Sequence, residues 1–373
     1  MAHAAAVPRP RAGDRRRVVA VSDGHAAEWP ATGTTPGLVC SHHHLYSSLA
    51  RGMAAPATAP VSFTDILEGI WWRLDRALDE EAIHWSATLG ALEALEAGCT
   101  AIIDHHASPS WIDGSLDVVH DAVSAVGIRV STCYEVTDRN GPAGALAGLD
   151  ENVRYLKSHG GRGWIGAHAS FTLSEETLDA IVGTARDLGV GVHIHVAEAP
   201  EDAGAGARLA DVAGDDWLLV HAVHLDRQLP GTVVHNPRSN MNNHVGYGDP
   251  ARWTGPVALG TDGIGADMLE EFRLAFARRR EADLDAAPDE AWSYLATGWD
   301  LFPAAAHDRV VWSSEHVEDP WRLAYTTSVR PLEITVDGRV VLDEDGPTLV
   351  DPTEVRARAA EAARRLHRRM EDL

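Results

Sequence analysis

The stretch GLVCSHHH, residues 37–44, is an apolar segment that ends in three consecutive histidines. Its continuous apolar character predicts a strand that is covered on both faces. Successive side chains of a strand point to opposite faces, so His42 and His44 share one face and His43 lies on the other. In a closed barrel the shared face can be the interior, which would place two imidazoles side by side at the end of the strand. A histidine cluster on the surface is the other interpretation of this pattern.

Seven further segments have the same strand length and apolar character, and most of them are separated by helical patterns. This alternation indicates parallel strands joined by crossover helices, and eight such units predict an α/β fold of the (β/α)8, TIM-like barrel type. The predicted strands are Gly37–His44, Thr100–His105, Ile128–Val136, Trp164–His168, Gly191–Val196, Trp217–His221, Gly231–His235 and Val257–Thr261. The predicted helices are Phe63–Leu78, Glu80–Ala97, Leu116–Val126, Leu146–Ser158, Ser174–Leu188, Ala203–Val212 and Met268–Arg280.

The two ends of the chain differ from the barrel pattern. Residues 1–16 are basic and lack an apolar run, which predicts a disordered tail rather than a signal peptide. Short strand patterns at 17–36 and 309–350 predict a small, reduced β-domain formed from both termini. We therefore assign 37–308 to the barrel and 351–373 to a terminal helix rich in arginine and glutamate.

The composition of the chain limits which binding partners and which cellular location we expect. The formal net charge is −23, which disfavours nucleic acid and anionic membranes as partners. No segment approaches the roughly 18 apolar residues of a membrane span. Cys40, Cys99 and Cys133 lie in apolar runs without CxxC spacing, which indicates buried thiols in a reducing cytoplasm. We expect a cytoplasmic protein that acts on a small molecule.

Two more polar groups lie where predicted strands end, which is the edge that carries active sites in such barrels. His195 lies nearer the end of its strand than His193 does, so His195 is the better candidate ligand. His193 lies deeper in the strand and fits a hydrogen-bonded histidine of the core better. Asp262 directly follows VALGT, and a buried carboxylate there needs a partner such as a metal ion. The alternative for Asp262 is a cap of the next helix. With His42 and His44, these residues form a candidate set of three imidazoles and one carboxylate.

Four residues are candidate substrate contacts. His168 ends the strand WIGAH, and Arg139 lies in the TDRNG segment after the third strand. Trp71 lies on a helical pattern and is either a packing residue or a platform for the substrate. Asn240, in RSNMNNHVG, is expected near the mouth of the pocket.

Several longer stretches resemble one known superfamily. They are PGLVCSHHHLYSSLARGM, TAIIDHHASP, CYEVTDRNG, HIHVAE, VHNPRSNMNNHVGYG and LGTDGIGADMLEEFR, and they extend in order from about Pro36 to about Arg273. The chain thereby resembles the amidohydrolase superfamily, in the cytosine deaminase-like and chlorohydrolase-like branch with one metal ion. Within that branch it looks most like the aminohydrolases called SsnA.

The resemblance implies roles for individual residues. It implies that Glu198 moves a proton, that His221 orients hydroxide, and that His168 and Arg139 contact the substrate. Dinuclear members often bridge their metals with a carboxylated lysine at a strand end, but the only lysine, Lys157, lies in a helical pattern. One divalent metal ion is therefore expected, with Zn²⁺ ahead of Fe²⁺. The implied metal ligands are His42, His44, His195 and Asp262, and the implied catalytic residues are Glu198, His221 and Asp262.

The function implied by the resemblance is that of an aminohydrolase, or deaminase. Metal-activated water would displace ammonia from an amino-substituted N-heterocycle such as a purine, a pyrimidine or a related catabolite. One alternative is hydrolysis of a cyclic amide, a cyclic imine or a carbon–halogen bond at the same site. Another is a non-catalytic metal-binding subunit of a complex, suggested by the shortened β-domain. A homo-oligomer, most simply a dimer, is expected.

Overall fold

The computed structural model describes residues 33–56, 58–263 and 265–373. Parallel strands and helices alternate through most of this range, and antiparallel strands follow near its end. The strands are β1 Thr34–Thr35, β2 Leu38–His44, β3 Cys99–His106, β4 Arg129–Tyr134, β5 Trp164–Ala169, β6 Gly191–Val196, β7 Leu218–His221, β8 Thr232–His235, β9 Val257–Leu259, β10 Asp262–Gly263, β11 Arg309–Trp312, β12 Pro331–Val336, β13 Arg339–Asp343 and β14 Gly346–Pro347. The helices are α1 Phe63–Ile66, α2 Trp72–Ala77, α3 Glu80–Glu96, α4 Ser115–Val126, α5 Gly141–Ser158, α6 Glu175–Leu188, α7 Ala205–Leu209, α8 Pro237–Asn242, α9 Met268–Ala282, α10 Pro288–Leu301, α11 Pro320–Tyr325 and α12 Pro352–Glu371.

Strands β2 to β9 close into a barrel. β10, β2, β3 and β4 pair in parallel in that order, and β5 to β9 pair in parallel in sequence order. Between β4 and β5, the Val136 amide donates to the Gly166 carbonyl and the His168 amide donates to the Val136 carbonyl. On the other side, the Thr261 amide donates to the His42 carbonyl at 3.0 Å, which joins the end of β9 to β2. The predicted α/β fold of the (β/α)8 type is confirmed.

The predicted strands coincide with observed ones, with bounds that shift by one or two residues. The largest difference on the helical side is α10, which the sequence analysis did not predict. This helix begins at a proline and packs closely on the barrel. A Cβ atom at Gly298 would lie 2.9 Å from the Cβ of Val39 on β2. Glycine at this position therefore allows the helix to approach the strand.

A small antiparallel sheet lies beside the barrel. β1 pairs with β11, and β12, β13 and β14 follow in order. Trp312 on β11 bonds to β1 within this sheet and also contacts the barrel. Its indole nitrogen donates to Thr35 Oγ at 2.8 Å. Its ring also fills the space beside Gly98, where a Cβ atom would lie 2.2 Å from the ring. The sheet thus combines β1, which precedes the barrel, with strands that follow the barrel.

Two expectations concern residues that lie partly outside the described ranges. The predicted tail, 1–16, and the first part of the predicted β-domain, 17–32, are not among the described residues. The division of the chain into domains therefore stays a prediction. In the described ranges, no helix is both long enough and apolar enough to cross a membrane.

Candidate functional site

A cavity of about 310 Å³ opens at the carboxyl ends of the barrel strands. One side of it is apolar and comes from the segment that follows β2. This segment comprises α1, a single π-helical stretch at Leu67–Trp71, and α2. Its lining side chains are Phe63, Leu67, Trp71 and Trp72. Polar groups at the strand ends form much of the remaining surface, together with Tyr46, Ala169, Phe171 and Ala199.

Four side chains converge at the base of this cavity. His42 Nε2 and His44 Nε2 lie 3.2 Å and 3.1 Å from Asp262 Oδ1. His195 Nε2 lies 3.2 Å from His44 Nε2 and 3.3 Å from His42 Nε2. Tetrahedral ligands about 2.0–2.2 Å from a zinc ion are separated by about 3.3–3.6 Å, close to these distances. The donor set therefore fits a small divalent metal ion.

The hydrogen bonds of the imidazoles fix which ring nitrogen faces the centre of this set. His44 Nδ1 donates to the His105 carbonyl at 2.6 Å, and His195 Nδ1 donates to the His168 carbonyl at 2.8 Å. The lone pairs of both rings are therefore on Nε2, directed at the centre. His42 Nδ1 lies 2.8 Å from Nε2 of His193, so His42 can present its own Nε2 in the same way. Each ring is thus oriented to bind a cation.

The fourth member of the set, Asp262, is held on a strained backbone. Its φ angle is 58°, and φ is also positive at His221 and Ala197, although none of the three is glycine. Positive φ is unfavourable for such residues and occurs often at functional sites. Two groups restrain Asp262: Ser239 Oγ donates to its carboxylate, and His43 Nδ1 donates to its carbonyl at 2.6 Å. His43 therefore points away from the cavity, as expected from strand alternation, and supports the loop.

Glu198 and His221 lie next to the four converging side chains. His221 Nε2 is 3.4 Å from Glu198 Oε2 and 3.9 Å from Asp262 Oδ1. His221 Nδ1 donates to Asn240 Oδ1 at 2.8 Å, which directs Nε2 towards the cavity. Burial raises the pKa of the Glu198 carboxyl to about 7; His221 opposes this rise and the Asp262 carboxylate adds to it. A carboxyl with such a pKa can both give and accept a proton near neutral pH.

A second polar group, on the opposite side of the cavity, was not predicted. Glu135 directly follows β4 and lines the cavity, although its side chain is only 4% exposed. Its Oε1 lies 3.3 Å from Arg139, and its Oε2 lies 3.4 Å from His105 Nδ1. Burial opposes ionisation of Glu135, but His168, His105 and Arg139 outweigh it and hold its pKa well below the usual range. The sequence signal was a lone carboxylate in the apolar run CYEV.

The four candidate substrate contacts have different placements. His168 and Trp71 line the cavity. Arg139 lies behind Glu135, where it also donates to Asp75 and sits 5.0 Å above the Trp72 ring. Asn240 lies behind His221. Direct substrate contact by Arg139 and Asn240 stays a prediction that this placement does not favour, because other side chains separate them from the cavity.

The sequence matches a known protein family and two named deaminases. A model of the amidohydrolase family matches residues 34–295. A 5'-deoxyadenosine deaminase of Methanopyrus kandleri is 31% identical over 290 residues, which cover 70% of this chain and 65% of that protein. A 5-methylthioadenosine/S-adenosylhomocysteine deaminase of Symbiobacterium thermophilum is 27% identical over 387 residues, which cover 89% and 86%. This chain therefore spans slightly less than two thirds of the first relative and most of the second.

Solved structures show the same fold. A zinc-bound adenosine deaminase from Xanthomonas campestris has a TM-score of 0.74 at 20% identity, covering 89% of this chain and 85% of that one. The zinc complex of atrazine chlorohydrolase TrzN from Arthrobacter aurescens has a TM-score of 0.68 at 21% identity, covering 88% of each chain. The family match extends over well more than half of the sequence. The chain therefore belongs to the amidohydrolase family.

Proposed function

We propose that this chain is a metal-dependent deaminase that hydrolyses an amino-substituted N-heterocycle, with adenosine-like compounds as the first candidates. The observation that carries the proposal is the convergence of His42, His44, His195 and Asp262 next to the Glu198–His221 pair. A protein that only binds a metal has no use for such a pair. Two relatives named as deaminases of adenosine derivatives support the same reaction and this class of substrate.

The ligands proposed for a single divalent ion are His42, His44, His195 and Asp262. Three imidazoles and a carboxylate favour zinc, with iron as the second choice. When bound, the metal supplies a Lewis acid and lowers the pKa of water. The remaining chemistry belongs to residues of this chain.

The proposed proton transfers involve three side chains. Asp262 and His221 orient the attacking water and accept its proton. Water adds to the ring carbon that carries the amino group, while Glu198 protonates the adjacent ring nitrogen. Glu198 regains a proton, the one taken from the water, through His221 at 3.4 Å and delivers it to the leaving amine. The hydroxyl of the adduct gives its proton to Asp262, the carbon–nitrogen bond breaks, and ammonia and an oxo-heterocycle are released. The raised pKa of Glu198 supports this double role.

The apolar side of the cavity supports a flat ring as the substrate. Trp71, Trp72, Phe63 and Leu67 provide aromatic and aliphatic surfaces against which a heterocycle can stack. A cytoplasmic location and a dimeric state belong to the same proposal. The three free, buried cysteines support a reducing compartment.

The test is ammonia release by zinc-loaded protein from adenosine, 5'-deoxyadenosine, 5'-methylthioadenosine, guanine and cytosine, with metal content measured on the same sample. We expect about one metal ion per chain and release from at least one purine derivative. Full metal content without ammonia from any compound would overturn deamination. Release of halide from a chlorotriazine, or of acid from a cyclic amide, would then identify the other leaving groups.

A further inference from the structure

We propose that Glu135 is the specificity-determining residue of the cavity. Together with His168 it accepts hydrogen bonds from the substrate edge that lies across the cavity from Glu198. This selects heterocyclic substrates that carry an N–H or O–H donor or a positive charge on that edge and that carry no phosphate. The inference rests on the proposed function, because it names the substrate class of the same site.

The order of strands around the barrel places the two edges. Glu135 follows β4 and His168 lies on β5, whereas Asp262 follows β9. In a closed barrel of eight strands β2–β9, β4 and β5 lie across from β8 and β9. A ring bound above the converging imidazoles therefore presents one edge towards Asp262 and the opposite edge towards Glu135 and His168. Glu198 follows β6, but its carboxylate lies beside Asp262 and His221 and so belongs to the Asp262 side.

Both groups on the Glu135 side are acceptors. Thr172 Oγ donates to the Ala169 carbonyl at 3.0 Å, so it accepts from His168 Nδ1 at 2.7 Å. His168 then carries its hydrogen on Nδ1 and presents the lone pair of Nε2, which lies 3.8 Å from Glu135 Oε1. Glu135 Oε1 also accepts from Arg139 at 3.3 Å, so its remaining lone pair and the lone pair of His168 Nε2 are open to a donor from the cavity. A substrate N–H or O–H group can supply that donor.

Arg139 acts as a positioning residue for Glu135. Its guanidinium donates to both Asp75 and Glu135, whose side chains are 1% and 4% exposed. The planar guanidinium sits against the Trp72 ring, which restricts its movement. Arg139 therefore holds the Glu135 carboxylate at the cavity surface without entering the cavity itself.

The charges around the cavity exclude phosphate. The carboxylates that line it include Glu135, Glu198 and Glu201 in addition to Asp262. Among the described lining residues, the cation is Arg238, and Glu271 lies 3.0 Å from its guanidinium. A phosphate bound away from the metal ion would face Glu135, Glu198 and Glu201 in a poorly solvated space, where like charges repel strongly.

The first test is calorimetric binding of benzamidine and benzamide to zinc-loaded protein, because these rings differ in the charge of one planar group. A carboxylate pairs with an amidinium through two parallel hydrogen bonds. We expect the wild type to bind benzamidine about 10- to 100-fold more tightly than benzamide, because hydrogen bonds to charged groups contribute that much. Glu135→Gln should remove this preference. Glu201→Gln makes the same charge change on an exposed residue of the cavity rim. This variant should retain most of the preference for benzamidine.

Glu135→Asp is a control for misfolding of the Glu135→Gln variant. It keeps the negative charge, but its side chain is shorter by one methylene group. It should retain part of the preference if Glu135 acts through its charge. Metal content and thermal unfolding are measured for each variant. Equal binding of the two probes by the wild type, or an unchanged preference in Glu135→Gln, would overturn the proposal.

A second readout uses turnover. For the best substrate of the ammonia panel, Glu135→Gln should raise KM by about 10-fold or more and change kcat much less, because the contact is made to bound substrate throughout the reaction. Adenosine 5'-monophosphate should compete at least about 10-fold more weakly than adenosine. Equal competition would overturn the exclusion of phosphate. Absence of all turnover together with a Glu135-dependent preference for benzamidine would reject deamination and leave recognition by Glu135 in place.

Discussion

The two sides of the cavity are held in different ways. His44 and His195 are oriented by carbonyl groups of the neighbouring strands, so their geometry follows from the register of the barrel itself. Glu135 is oriented by side chains, chiefly Arg139, which comes from the loop after β4. We call the first group, His42, His44, His195 and Asp262, the metal wall. We call the second group, Glu135, Arg139 and His168, the recognition wall.

This difference predicts that metal binding and substrate recognition can be changed independently of each other. A side chain held by the backbone keeps its place when neighbouring side chains change, whereas a side chain held by another side chain does not. His44 and His195 should therefore tolerate substitutions in the recognition wall. His42 and Asp262 are held by the side chains of His193 and Ser239, which lie outside the recognition wall, so they should tolerate them as well. Conversely, substitution of a metal-wall residue should remove the ion without changing the position of Glu135.

The largest expected effect concerns metal content. His44→Ala removes one of four donors and should lower bound zinc after dialysis well below the roughly one ion per chain of the wild type, because the loss of a protein ligand weakens zinc binding. His168→Ala should keep the ion, since His168 orients His195 through its backbone carbonyl. Elemental analysis of both variants measures the zinc bound per chain. Zinc loss in His168→Ala would show that the two walls are not independent.

The next effect concerns proton transfer. Glu198→Gln keeps the shape of the side chain and removes the proton shuttle, so ammonia release should fall by about 10²–10⁴-fold while zinc stays bound. The measurement is kcat on the best substrate of the panel. An active Glu198→Gln variant would contradict the role given to this residue.

A smaller effect concerns stability of the recognition wall. Arg139→Met leaves the buried carboxylates of Asp75 and Glu135 without their cation and should destabilise the protein by about 3–5 kcal/mol. Urea unfolding measures this as a lower midpoint at unchanged slope. Arg309→Met is the matched control, because its pair with Glu333 is about half exposed and should contribute at most about 1 kcal/mol. Similar losses in both variants would argue against a special role for Arg139.

The smallest effect concerns histidines that end strands but belong to neither wall. Burial lowers the pKa of His106 and of His235 to about 3. Between that value and the ordinary pKa of about 6.5, the unfolded chain binds protons that the folded protein does not, so stability falls as pH drops below about 6.5. Each should contribute about 2 kcal/mol of this loss between pH 7 and pH 5. Urea midpoints across this range should depend less on pH in His235→Gln, and an unchanged dependence would contradict the assignment.

The sequence was sufficient for the barrel and for choosing the four side chains that converge, His42, His44, His195 and Asp262, whose role as metal ligands stays a proposal. The period of two along a strand places His42 and His44 on one face, and a polar residue directly after an apolar strand marks the active edge of a barrel. Their positions follow from local pattern and from one general property of the fold. That Asp262 carries a positive φ angle could not be predicted, because the pattern VALGTDG does not determine which residue takes the turn.

The recognition wall was only partly accessible from the sequence. Glu135 lies within the predicted strand Ile128–Val136, where one carboxylate looks like an outward-facing residue of a strand. Its importance depends on contacts with His105, Arg139 and His168, which lie on other strands or loops. Arg139 was noticed for its charge, but its burial behind Glu135 depends on Asp75, from a helix far away in sequence. Such long-range pairings leave no local pattern.

The contact between Trp312 and Gly98 has a consequence for cooperativity. The indole ring occupies the space that any other side chain at 98 would need, so the small sheet and the turn before β3 are packed as one unit. The sheet cannot lose its packing without exposing this ring and the start of a barrel strand. Barrel and sheet should therefore melt in a single calorimetric transition. In Gly98→Ala, that shared transition should move to lower temperature as a whole rather than divide into two.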